Sequence, residues 1–240
     1  MSAAAPQFVE VARLDCDYEP RDWAFARERA AEIDAHWAAF SAGNPALFNG
    51  RVLLLHRGGV ERDADGAAVF RGAYLQTEFK AFMAWRDFGF PPPAMRNGFA
   101  MAALMSCDGA FLLGEMGAHT ANPGKIYFAA GTPDLNDIVG DKVDLAGSVM
   151  RELGEETGLT ALDVAADDGW TLVLHGPRVA CMKRLRSTLP ALDLQARIHA
   201  NLAAQAEPEL ARMHVCRKRG DVDEARMPEF MRAYLEHVLG

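Results

Sequence analysis

The chain has only four cysteines, Cys16, Cys107, Cys181 and Cys216, and no two of them have Cys-x-x-Cys spacing. Structural zinc and a disulfide framework are therefore excluded, and the four are read as ordinary buried thiols. Long apolar runs are missing too. The best, Phe99 to Met105, has seven residues, against the roughly 18–20 that a membrane-crossing helix needs. The N-terminus lacks a basic start followed by an apolar stretch, so no secretory signal is read and a cytoplasmic location is expected. Positive charge is in deficit: 25 Lys and Arg stand against 33 Asp and Glu, a net of −8. That disfavours nucleic-acid binding, which draws on clustered Lys and Arg to neutralise phosphates. A small phosphorylated ligand stays open, provided metal ions or a local basic patch offset the repulsion.

What is present is globular. Half of the 240 residues are hydrophobic and 24% are charged, the average for a folded domain. The length suits one substantial domain, or one domain with an elaborated arm. No repeat is found, and the sequence leaves the oligomeric state open.

Residues 7 to 14 alternate as a strand would. Pro20 and Asp22 open a helix whose Trp23, Ala26, Ala30, Ile33, Trp37 and Phe40 share one face, and Gly43, Asn44 and Pro45 end it. Arg51 to Arg57 reads as a buried strand, Gly58 to Gly66 as a polar loop, and Val69 to Tyr74 as the returning strand. A short helix over Thr77 to Asp87 is closed by Gly89 and the run Pro91-Pro92-Pro93. That run marks a boundary between an N-terminal extension (1–98) and a second unit (99–240). The second unit opens with a hairpin about Asp108-Gly109 and a third strand over Lys125 to Ala130. A helix over Leu145 to Thr157 and a hairpin about Gly176-Pro177 follow. Helices at Pro190–Gln205 and Pro228–Val238 flank a strand near Met213. The mixture reads as α/β in the α+β sense.

The helix ending at Gly158 carries the chemistry. Asp144 suits its N-cap and Gly158 its left-handed stop. Glu152, Glu155 and Glu156 are spaced i, i+3, i+4, so three carboxylates project from one face. They stand in the last turn, where the helix dipole disfavours negative charge, and a hard cation among them would reverse that cost. A solvated acidic face is the bland alternative.

The full string resembles the core of the Nudix box, Arg-Glu-U-x-Glu-Glu-x-Gly-U with U apolar, at Arg151, Glu152, Leu153, Glu155, Glu156, Gly158 and Leu159. The resemblance covers mainly residues 99–240. It implies a Nudix-type mixed sheet sandwiched between helices, with an N-terminal α/β extension. It also implies a pyrophosphohydrolase in which Glu152, Glu155 and Glu156 ligate magnesium or manganese and Arg151 orients them. One of the three, Glu152 first, could instead take a proton from the attacking water. Glu207 and Glu209 are the candidates for a further acidic ligand from a later loop. The family pattern begins with Gly, five residues, Glu, then seven residues before the Arg. Counting back places Val143 where that first glutamate belongs, and Gly131 resembles the box's first glycine. A six-residue insertion is then expected within 132–142. Asp144, Asp141 and Asp137 could stand in for the glutamate, with a plain acidic loop the simpler reading.

The extension is similar, more loosely, to a Nudix branch that splits UDP-glucose. The similar string runs through Asn44-Pro-Ala-Leu-Phe48, Leu55-His56 and Thr77-Glu-Phe79-Lys80-Ala-Phe82-Met-Ala-Trp85. Candidate substrate-binding residues are Lys80, Trp85, Arg86, Arg96, Lys125 and Gly131. The expected ligand is a nucleoside diphosphate joined to another group. A nucleotide-sensing domain with weak turnover and a hydrolase of a non-nucleotide diphosphate are the competing readings.

Overall fold

The computed structural model describes residues 5–44, 47–92 and 95–240. Pro45, Ala46 and Pro93, named above in a helix stop, a motif string and the boundary run, lie outside the described residues.

The first alternating segment forms two strands, β1 (Gln7–Val11) and β2 (Arg13–Tyr18), which enter different sheets. The aromatic-striped segment is two helices, α1 (Ala24–Glu28) and α2 (Ala30–Ser41), rather than one. They break at Arg29 (φ −110°, ψ 23°), whose guanidinium lies 5.4 Å from the Phe25 ring centroid and 4.6 Å from that of Phe88. Next comes a long ribbon, β3 (Arg51–Arg62) and β4 (Ala68–Glu78). Gly58 and Gly59, expected in the loop, continue β3 opposite Gly72 and Arg71. A Cβ at Gly58 would meet the Phe70 ring at 2.8 Å, so this glycine serves close packing and not a turn. Helix α3 (Phe79–Asp87) starts after Thr77 and Glu78, which remain in β4.

The hairpin strands β5 (Asn97–Met105) and β6 (Phe111–Met116) pair only at Met105–Phe111. Strand β7 (Ile126–Tyr127) is shorter than expected. Beyond it the chain leaves the ladder, so that the Ala129 carbonyl accepts from the Ala102 N–H. Two small strands, β8 (Ile138–Val139) and β9 (Lys142–Val143), form a hairpin that local patterning did not suggest. Helix α4 (Leu145–Thr157) has the limits its caps dictate: Asp144 accepts from the Gly147 N–H, and Gly158 is left-handed at φ 73°. The chain ends with β10 (Val164–Ala166), β11 (Trp170–His175), β12 (Arg178–Ser187), α5 (Ala191–Ala204), β13 (Leu210–Cys216) and α6 (Glu229–Val238).

The architecture is mixed α+β. The larger sheet runs β1-β11-β12-β5-β6-β13, with β10 on β12 and β7 on β6; the smaller runs β3-β4-β2-β9-β8. The β12–β5 and β2–β4 pairs are parallel, and the other ladders are antiparallel. Alternation along β5 divides the packing. Ala100, Ala102 and Leu104 face a core shared with α4, α5 and the smaller sheet, while Phe99, Met101 and Ala103 face α6. Strand β3 does the same for the arm: Leu53 and Leu55 join the central core, and Val52 and Leu54 join a cluster with Trp23, Ile33, Phe82 and Trp85. Segments from before and after residue 98 meet in each sheet, since β1 pairs with β11 and β9 pairs with β2. Among the described residues no helix is long and apolar enough to cross a membrane. Three cysteines are buried as expected; Cys107 is exposed.

Candidate active site

Helix α4 lays Val149 and Leu153 into the central core, which turns its acidic side toward the segment after β7. Glu156 is buried, and its Oε1 accepts from the Ala130 N–H at 3.0 Å. Its Oε2 is also buried and has no hydrogen-bond partner among the described residues. Glu152 is buried against Gly131, where an added Cβ would stand 2.1 Å from its Oε1. A side chain there would have to displace that carboxylate. Glu155 is exposed and receives a hydrogen bond from Arg151 at 3.2 Å.

The electrostatics follow from this crowding. Burial first, with Glu155, Glu209 and Asp137 adding to it and Arg151 opposing, pushes the Glu152 carboxyl up to about 7. Burial, then Glu209, raises the Glu156 carboxyl well above the usual range, against the pull of the Ala130 N–H. Burial, then Glu155, raises Glu209. Burial works against the Arg151 charge, but Glu152, Asp137 and Glu155 more than offset it and hold its pKa above the ordinary value.

Arg151 is clamped. Its Nη2 donates to both carboxylate oxygens of Asp137 at 3.1 Å, and its Nη1 lies 2.9 Å from Glu152. Asp137 is buried and also accepts from the Asp134 N–H at 2.9 Å. Of the three acids that could stand in for the box's first glutamate, Asp137 is the one in contact with Arg151. Asp137 follows Gly131 after five residues, and the six extra residues fall beyond it, in the β8–β9 hairpin. Val143, where the count back from Arg151 placed the missing glutamate, is a buried strand residue. Of the other candidates, Asp144 caps α4, and Asp141 is exposed with its carbonyl accepting from the Tyr18 N–H. The hairpin is held to β2 by Lys142, whose Nζ lies 2.8 Å from Asp15 and 2.6 Å from Asp17.

Beside the carboxylates opens a cavity of about 680 Å³ between the arm and the larger sheet. Ala130, Gly131, Asp134 and Glu209 line one part; Phe79, Phe82 and Arg86 from α3 line another. Arg86, Lys125 and Gly131 thus lie where the sequence suggested. Three other candidates do not line the cavity. Lys80 pairs with Asp34 (2.6 Å) and Glu78 (3.2 Å). Trp85 is buried and donates to the Pro91 carbonyl at 3.1 Å. Arg96 is exposed, its backbone bridged to Leu55. Glu207 and Glu209 are both exposed, but only Glu209 lines the cavity. Sequence reasoning missed Arg51, Asn97, Tyr127 and Arg178, which also line the cavity. Each comes from a separate strand or its edge, so no local pattern links them.

The donor set suits a hard divalent cation: clustered carboxylates, three of them raised by burial and mutual repulsion, with one buried oxygen unpartnered. Among the described residues no three acidic, His or Cys side chains converge as a finished cage.

No family model matches the chain, and no curated protein matches it. Among the solved structures similar to it, two are described by their likeness in fold. One is a Nudix hydrolase from M. smegmatis, RenU, at 14% identity and TM-score 0.40, covering 60% of this chain and 83% of that one. The other is the MutT protein from Methanosarcina mazei Go1, at 17% identity and TM-score 0.38, covering 59% and 91%. At such scores the likeness carries no functional argument. The resemblance to the Nudix superfamily stands on the box residues, Arg151 to Leu159.

Proposed function

We propose that this chain is a metal-dependent pyrophosphohydrolase that cuts the diphosphate of a nucleoside diphosphate joined to another group, with a UDP-sugar such as UDP-glucose the leading example. One observation carries the reading: the buried Glu152 and Glu156, packed against the segment at Ala130 and Gly131 that borders a large cavity. A solvated acidic face would leave these carboxylates in water; burying like charges together is costly unless a function requires it.

Magnesium or manganese would be held by Glu152, Glu155 and Glu156, with Glu209 across from them. When bound, it would offset the charge of the phosphates and lower the pKa of attacking water. The chain's own groups do the rest. Asp137 fixes the Arg151 guanidinium, which in turn orients Glu152 and Glu155. Glu152, buried beside Gly131, is the carboxylate placed to take the proton from water where it does so instead of ligating the metal. Phe79 and Phe82 offer rings to a base, and Arg51 and Lys125 offer cations to the phosphates. Attack at phosphorus would release a nucleoside monophosphate and a phosphorylated partner. The nucleotide-sugar identity draws only on the loose resemblance of the arm.

Incubation with magnesium and a panel of UDP-sugars, ADP-ribose, dinucleotides and coenzyme A tests the reading. Magnesium-dependent release of a nucleoside monophosphate from at least one of them is expected; inertness toward all would oppose it.

A further inference from the structure

The part of the cavity away from the carboxylate helix has its own chemistry. Arg178 opens β12 and lies in register with Asn97, the first residue of β5. Ala102, level with Ala129 and hence with the carboxylate end, is five residues farther along β5, about 16 Å at the rise of a strand. The Arg178 side chain makes no ion pair and no hydrogen bond among the described residues; its guanidinium sits 5.3 Å from the Phe90 ring centroid. Phe90 holds that ring in place from a left-handed backbone (φ 58°), a conformation that costs a bulky residue strain. Burial, then the like charge of Arg86, disfavours the Arg178 cation, and Glu229 is the acid that favours it. Arg86 lines the same cavity, tied to Asp87 through Nε at 2.7 Å. The Asn97 Oδ1 is buried and has no hydrogen-bond partner among the described residues.

Two guanidinium groups facing one cavity, one of them unpaired, with an unused amide acceptor beside them, are uncompensated unless a ligand completes them. We propose that Arg178 and Arg86, with Asn97, form a second oxyanion subsite, so that the substrate carries a phosphate or carboxylate, flanked by a hydroxyl, on the group remote from its diphosphate. The arginines donate to the anion, and the hydroxyl donates to Asn97. That the anion belongs to the substrate rests on the hydrolase reading; the binding of the anion does not.

Matched ligands that differ in this one group test it: UDP-glucose against UDP-glucuronate, dephospho-coenzyme A against coenzyme A, and NADH against NADPH. Binding is measured on the full chain with metal chelated and ionic strength fixed, so that no turnover is read. In at least one pair the more anionic member should bind about tenfold tighter, ~1.4 kcal/mol, despite the chain's net charge of −8. The preference should vanish in Arg178→Gln and in Arg86→Gln. Asn97→Asp, which sets a carboxylate beside Arg178, should abolish it as well and covers the case of a poorly folded arginine variant. No preference in any pair, or a preference unchanged in the folded variants, overturns the subsite. The carboxylate and phosphate pairs tell the two sources of the anion apart. A preference without any hydrolysis of the preferred ligand under magnesium would sink the hydrolase reading and leave the subsite standing.

Discussion

Glu152→Gln should make the metal-free protein more stable at alkaline pH, and the sign follows from its carboxyl. In the folded chain this group is raised from an ordinary 4.5 to about 7, chiefly by burial. The folded state therefore keeps a proton that the unfolded chain has released. Stability is greatest below the unfolded value and falls as pH climbs through the folded one, from about pH 5 to about pH 8. The gap between an ordinary 4.5 and about 7, at about 1.36 kcal/mol per pK unit, makes the loss across that window on the order of 3 kcal/mol. The glutamine is isosteric and cannot ionise, so the variant loses that part of the slope. Glu156, raised in the same direction, leaves some slope behind. Urea unfolding in chelator, with equal m-values for parent and variant, measures the effect. The curves should meet near about pH 5 and diverge to a few kcal/mol by about pH 8. Parallel curves, or a parent that gains stability with pH, would refute the reasoning. Magnesium should restore the parent at alkaline pH and do much less for the variant.

Further outcomes follow from the same geometry. Glu155→Gln should leave the fold intact, because the residue is exposed, yet lower the hydrolysis rate by at least ~100-fold through loss of a charged ligand; steady-state kinetics at saturating magnesium checks this. Asp137→Asn removes the buried charge facing Arg151 and should cost about 1.5–3 kcal/mol in urea unfolding. It should also lower kcat while changing KM little. A chain starting at Phe99 removes β1 from β11 and strips Leu53, Leu55, Phe70 and Tyr74 from the shared core. It is expected to aggregate or unfold, and a soluble, cooperatively folding product with unchanged selectivity would contradict the role assigned to the arm.

Local chemistry made α4 readable to the residue. Its start and stop are encoded by Asp144 and Gly158, and its acidic triplet by helical spacing. The hairpins about Asp108-Gly109 and Gly176-Pro177 were legible for the same reason. Tertiary effects account for what was not. Gly58 and Gly59 look like turn residues, but the Phe70 ring requires a glycine inside the ribbon. Asp137 looks like any loop acid until the β8–β9 hairpin, stitched to β2 through Lys142, shows where the extra residues lie. Lys80 and Arg178 illustrate the limit for cations. Lys80 sits in the more motif-like string but is neutralised by Asp34 and Glu78, whereas Arg178 is isolated in sequence and left unpaired against the cavity.

The most direct test of the central claim is hydrolysis of the best ligand of the panel in oxygen-18 water, with products read by mass spectrometry. The account predicts one labelled oxygen in a phosphate group, release of a nucleoside monophosphate, dependence on magnesium, and loss of nearly all turnover in Glu156→Gln. Label at an anomeric carbon with release of a nucleoside diphosphate, or undiminished turnover in Glu156→Gln, would contradict it.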